Sequence, residues 1–178
     1  MQKRYHPLPS LWLMTDERMG DALLPAVRAL PRGAGIIFRH YTIAPAERRR
    51  LFDAVRKVAQ KRRLMLILAG TPRQARAWHA DGSHGRHKGA VTAPVHNLRE
   101  LDLAQNAGAR LLFLSPIFPT RSHPGLQTLG RRRFAALCRH AQLPVIALGG
   151  MTAQRFRQVK PLGAYGWAAI DGLTPKKA

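Results

Sequence analysis

The sequence has one cysteine, nine acidic residues and no apolar run long enough to cross a bilayer, and each shortage closes off a class of protein. With Cys138 alone, no intrachain disulfide and no cysteine-based metal cluster can form. Without about 18 consecutive apolar residues, no segment reads as a membrane span, so no membrane partner is expected. The opening MQKRYHPLPS carries two basic residues but lacks the apolar stretch of a secretory signal, and a cytoplasmic protein is expected. Aromatic residues are sparse as well. The three Trp and three Tyr are scattered and never interleave with arginine at stacking spacing, which leaves nucleic acid supported by charge alone and ranked last among partners.

Positive charge is what abounds. Thirty Lys and Arg against nine Asp and Glu give a formal net charge of +21, an excess that serves nucleic acid, an anionic surface or phosphorylated small molecules. Arginine outnumbers lysine 23 to 7, a bias that a GC-rich genome produces without any ligand. The clusters ERRR (47–50), QKRR (60–63) and GRRR (130–133) lie in or beside segments with helical spacing, where they read as solvated helix faces.

At 178 residues the chain suffices for one sizeable core, and a single domain over 1–178 is expected. Short apolar runs recur at 11–14, 35–38, 64–68, 111–114, 144–148 and 166–170, with weaker candidates at 82–84 and 90–91. Between most of them, apolar residues repeat at three and four, over 21–30, 45–60, 97–108, 132–141 and 152–163. Asn97 with Glu100 three residues on, and Thr152, mark helix starts; Gly108 and Gly163 mark ends. Strand–helix alternation of this kind is the rhythm of an α/β protein with a parallel sheet. Eight strands predict a compact (β/α)8 TIM barrel, lean beside the usual ~250 residues and with shortened units around 70–92, a region too short for two ordinary helices.

In such a barrel, ligands sit at the C-terminal strand ends. The glycine- and hydroxyl-bearing segments fall there: FRHY (38–41), SPIFPTRSHPG (115–125), LGGMT (148–152) and AIDGL (169–173). Gly149 and Gly150, after one apolar strand, free the backbone to turn its N–H groups toward an anion. Ile170, Asp171 and Gly172 can do the same from the neighbouring loop. Together they predict a phosphate site after strands seven and eight.

Seven stretches, LWLMTDE, GIIFRHY, HADGSHG, VHNLRELDLAQNAGA, LFLSPIFPTRSHPG, PVIALGGMT and GAYGWAAIDGL, resemble in order the landmarks of the thiamine-phosphate synthase family and its TenI-type thiazole tautomerase relatives, over nearly the whole chain. The resemblance implies a TIM barrel and, for the synthases, loss of pyrophosphate from aminopyrimidine-methyl diphosphate with magnesium assisting. The ring nitrogen of thiazole phosphate then takes the pyrimidine methylene. Carried over by residue, it implies that Thr120 and Ser122 contact pyrophosphate and pyrimidine, that Gly149 and Gly150 donate to thiazole phosphate, and that Arg39 meets diphosphate. It further gives His123 the place of a family lysine and His96 that of a family histidine.

The departures fall on the diphosphate side. The family's glutamine and lysine flanking Arg39 are Ile37 and Tyr41, and the serine before its histidine is Pro94. Its asparagine–aspartate pair falls near Ala69 and Gly70, and its aspartate beyond strand four falls in HGRHKG. The implied magnesium therefore lacks its ligands, and no metal or other cofactor is expected. The expected site has Arg39, His96 and His123 as catalytic groups and Thr120, Arg121, Ser122, Gly149, Gly150, Ile170, Asp171 and Gly172 as substrate contacts. Plainer roles compete: His96 as a histidine at a helix start, Asp16 as an N-cap, Asp171 as a cap, and His84, His87 and His123 at spacings that fit no zinc motif. Arg39, closing an apolar strand, needs an anion or a carboxylate.

The function expected is a thiamine-phosphate synthase-like protein, coupling the two phosphorylated substrates or binding them. Its rivals are a tautomerase, against which stands Pro116 where that branch places a histidine, and a non-enzymatic binder of phosphorylated ligands.

Overall fold

A computed structural model describes residues 8–121, 125 and 127–175. Eight parallel strands close into a barrel in chain order, β1 (Leu11–Met14), β2 (Gly35–Phe38), β3 (Met65–Ala69), β4 (Gly82–His84), β5 (Thr92–Val95), β6 (Leu111–Leu114), β7 (Val145–Ala147) and β8 (Gly166–Ala169), with β8 pairing back onto β1. The fold is the TIM barrel that the alternation predicts.

Six α-helices accompany the strands among the described residues: α1 (Leu23–Ala29), α2 (Pro45–Arg62), α3 (Pro72–Ala77), α4 (Leu98–Asn106), α5 (Gly130–His140) and α6 (Ala153–Val159). The economy falls where the sequence is short. One short helix, α3, fits between β3 and β4, and β4 runs to β5 through residues 85–91 without a helix. The fifth strand lies two residues later than the apolar pair at 90–91 suggests. Val91 donates to the Ser83 carbonyl at 3.0 Å and is spent on the approach to the strand, while Thr92 begins the ladder opposite Leu111.

Side chains fill the barrel interior. Trp12 is fully buried and lies against β2 at Gly35, where any Cβ would sit 2.2 Å from the indole, so this position tolerates only glycine. Phe113 meets the Trp12 ring edge-on at 5.4 Å and the His84 ring at 5.2 Å, so one aromatic cluster ties β1, β4 and β6 together across the axis. Burying a side chain the size of Phe113 stabilises the fold by roughly 1.5–3 kcal/mol.

Helix α2 shows what the basic clusters do locally. Pro45 sits in its first turn, Phe52, Val55 and Ala59 face the core, and Lys61 and Arg62 lie in its last turn, where cations complement the helix dipole. Arg49 and Arg56 flank Asp53 at 2.8 and 3.6 Å. Arg63 in the left-handed region ends the helix, its N–H donating to Gln60 and leaving a turn into β3.

Candidate active site

The loops after β6, β7 and β8 converge at the C-terminal mouth of the barrel on a cavity of about 300 Å³. From β6 come Ser115, Pro116, Pro119, Thr120 and Arg121; from β7, Gly149 and Gly150; from β8, Ile170, Asp171 and Gly172. Met14 and Arg39 close one side and His96 the other. Each predicted site residue within the described part of the chain therefore borders one cavity. Ser122 and His123 lie outside the described residues.

Gly149 and Gly150 adopt φ of +96° and +62°, a backbone shape that disfavours side chains. Packing reinforces the requirement, since a Cβ on Gly150 would lie 2.4 Å from the Pro119 carbonyl oxygen, and one on Gly149 would lie 2.7 Å from Pro116. Their carbonyls turn away from the cavity: Gly149 accepts from Phe118 N–H at 3.2 Å, and Gly150 accepts from the Arg155 guanidinium. Their own N–H groups donate to no protein acceptor among the described residues. Sequence reasoning missed Arg155, which lines the cavity and lies over the Phe118 ring at 5.0 Å. Its only local sign is its place three residues after the cap Thr152, whose hydroxyl accepts its N–H.

Arg39 reaches the cavity already engaged. Its Nη2 donates to Asp16 at 2.9 Å, its Nε to the Thr15 carbonyl at 2.7 Å, and its backbone N–H to the Thr15 hydroxyl. The carboxylate this strand-end arginine needs is therefore Asp16, which also accepts from the Arg18 backbone as an N-cap. Burial raises the Asp16 carboxyl, but hydrogen bonds and charge from Arg18 and Arg39 outweigh it and hold the group below its ordinary range.

His96 donates through Nδ1 to Glu100 at 2.7 Å, and Glu100 also pairs with Arg86 at 3.0 Å. Burial pushes Glu100 up, yet the His96 hydrogen bond and nearby positive charge leave it lowered. Asp171 is turned toward Arg121, 3.2 Å away, in an exposed pair across the cavity mouth.

The tips of β3, β4 and β5 are arranged differently. Gly70 N–H donates to the His84 carbonyl at 3.3 Å and Gly85 N–H to the Thr92 carbonyl at 3.0 Å. Arg48, from α2, donates to the carbonyls of both Arg39 and Ala69, with its guanidinium near the rings of Phe38, Tyr41 and Trp78. His84 is buried against the Thr92 hydroxyl at 2.9 Å, and burial, with Arg39 nearby, lowers its pKa to about 3.

A thiamine monophosphate synthase family model matches residues 85–173, half of the chain. The chain belongs to the thiamine-phosphate synthase and TenI family. Among curated relatives, it is 29% identical to a candidate second thiamine-phosphate synthase of Aquifex aeolicus (strain VF5), covering 92% of this chain and 97% of that one. It is 28% identical to the thiamine-phosphate synthase of Lactococcus lactis subsp. lactis (strain IL1403), over 80% of this chain and 72% of the other. The fold matches the thiamine phosphate pyrophosphorylase from Pyrococcus furiosus with a TM-score of 0.77, at 21% identity over 92% and 86% of the two chains.

For a member of this family, magnesium is the group to test against the residues present. A hard dication needs oxygen ligands with uncompensated negative charge. Among the described residues no three His, Cys, Asp or Glu side chains converge, and the cavity-side carboxylates Asp16, Glu100 and Asp171 each face a guanidinium. The 85–91 loop carries no carboxylate, and Arg48 holds the tips of β2 and β3. This donor set does not suit magnesium.

Proposed function

We propose that the cavity binds the phosphorylated thiazole of thiamine biosynthesis, as thiazole phosphate or as thiamine phosphate, with the phosphate between Gly149 and Gly150 on one side and Ile170, Asp171 and Gly172 on the other. The observation that carries the reading is the pair of left-handed glycines bordering the cavity, whose carbonyls are taken up while their N–H groups have no acceptor among the described residues. Arg155 contributes by fixing the Gly150 carbonyl. Thr120 and Arg121 line the part of the cavity left for the ring. In the coupling reading, this site presents the thiazole nitrogen to the aminopyrimidine methylene after pyrophosphate departs, with the exposed Arg121 supplying charge and no step depending on a bound metal.

His96 favours a second reading, proton transfer on a single thiazole phosphate. Its Nδ1 is held by Glu100 at the cavity edge, which fixes the ring with Nε2 free to act as a general base. This is chemistry of the tautomerase kind, with the base just after β5 rather than at Pro116.

Calorimetric titration with thiazole phosphate and with the unphosphorylated thiazole alcohol tests the assignment. Two charge-assisted hydrogen bonds are worth about 1.5–3 kcal/mol each, so the ester should bind at least ~100-fold more tightly. Equal affinity for the two, or no binding of thiazole phosphate, removes the assignment. Solvent deuterium exchange into thiazole ligands by the parent, lost in His96→Gln, separates the proton-transfer reading from coupling.

A further inference from the structure

The site is lopsided. No residue between 40 and 95 borders the cavity, so β3 and β4 contribute nothing to it although they close a quarter of the barrel mouth, and β5 contributes only His96, just past its end. Resting on the phosphate assignment above, we infer that the cavity takes one phosphate monoester at a time and holds it without a divalent cation.

Three observations converge on this. The first is where polar groups are spent. Around β3 to β5 the strand tips bond to one another, and Arg48 fills the carbonyls of Arg39 and Ala69; around β7 the N–H groups of Gly149 and Gly150 have no protein acceptor among the described residues. The anion-facing donors are thus confined to one corner, with room for one tetrahedral head.

The second is charge. A monoester brings about −1.5 to −2 at neutral pH, which oriented N–H groups and one or two guanidinium groups can meet. A diphosphate brings more, and proteins ordinarily meet it with a magnesium ion held by carboxylates and the phosphates together. Here Asp16, Glu100 and Asp171 are each committed to arginine, and Arg39 is committed to Asp16. A dication arriving with a diphosphate would meet guanidinium groups where it needs carboxylates.

The third is volume. About 300 Å³ lies at the lower end of small-molecule sites. A cavity of that size suits one phosphorylated ring better than two phosphorylated reactants side by side.

The test is calorimetric titration of the whole chain with inorganic phosphate and inorganic pyrophosphate, each with and without magnesium chloride, on the parent and on Asp171→Asn. Asp171 is exposed, and its carboxylate pairs with Arg121 at the surface. The expected result is phosphate binding that changes less than about twofold with magnesium, pyrophosphate binding no tighter than phosphate, and tighter phosphate binding in Asp171→Asn as one repelling charge leaves. Pyrophosphate affinity rising ~tenfold or more with magnesium overturns the inference while leaving the phosphate site standing. No phosphate binding by either protein overturns the phosphate assignment, and the inference with it.

Discussion

The tips of β6, β7 and β8 and the tips of β3, β4 and β5 belong to one barrel and use the same backbone chemistry to opposite ends. In the first group, two glycines at positive φ border a cavity, with their carbonyls occupied and their N–H groups without an acceptor among the described residues. In the second, each tip gives its hydrogen bonds to its neighbour, an arginine seals the carbonyls, and a neutral histidine is buried beneath. A barrel mouth is not uniformly available for ligands. It is available where polar groups are left over, and the leftover groups are set by a few glycines and by where the arginines land.

The closed side should be the acid-sensitive one, and this is the largest effect expected. His84 stays neutral in the folded protein down to about pH 3, whereas the unfolded chain takes up that proton near 6.5. The folded pKa is depressed, so its contribution is complete above pH 6.5 and is lost as pH falls, because the unfolded state then binds more protons. Between pH 6.5 and 4.5 the loss should approach ~1.4 kcal/mol per pH unit. Burial lowers His40 in the same direction. Urea denaturation across this range, on the parent and on His84→Gln, checks it; an equal slope in the variant would break the attribution.

On the open side, Gly150→Val should reduce affinity for inorganic phosphate by ~30–100-fold, since the side chain would strike the Pro119 carbonyl and the backbone φ would change. Calorimetry measures the affinity, and circular dichroism verifies that the barrel persists.

Arg48→Ala sharpens the contrast from the other direction. It leaves the Arg39 and Ala69 carbonyls short of a donor, at a cost of about 1–3 kcal/mol in denaturation, and phosphate affinity should stay within about twofold of the parent. A large loss of phosphate binding would show that the two sides are coupled.

The smallest effect belongs to the exposed Arg121–Asp171 pair. Asp171→Asn should strengthen phosphate binding roughly two- to fivefold at low salt, with the gain shrinking at high salt.

Much of this molecule is written locally. The alternation of apolar runs and helical spacing gives the barrel, and the strands at 11–14, 35–38, 82–84 and 111–114 coincide with those formed. The glycine pair, the 115–121 loop and the 170–172 turn could be read as a site because turn glycines and strand-end polar residues act within a few positions of themselves. The missing β4–β5 helix was legible as a shortage of residues; the start of β5 was not, since its register depends on pairing with β6.

Arg155 escaped notice because an arginine inside a short helix resembles every other arginine in so basic a chain. The sequence by itself determined the family, the barrel and the position of the loops that line the cavity, all of which rest on contacts between near neighbours or on a pattern repeated along the chain. Only the tertiary structure decided which charges remain for a ligand. Arg39 meets Asp16 from 23 residues away, Arg48 meets Ala69 from 21, and Arg121 meets Asp171 from 50. Barrel closure sets those pairings by bringing distant strand ends within hydrogen-bonding reach, and spacing along the chain carries no record of it.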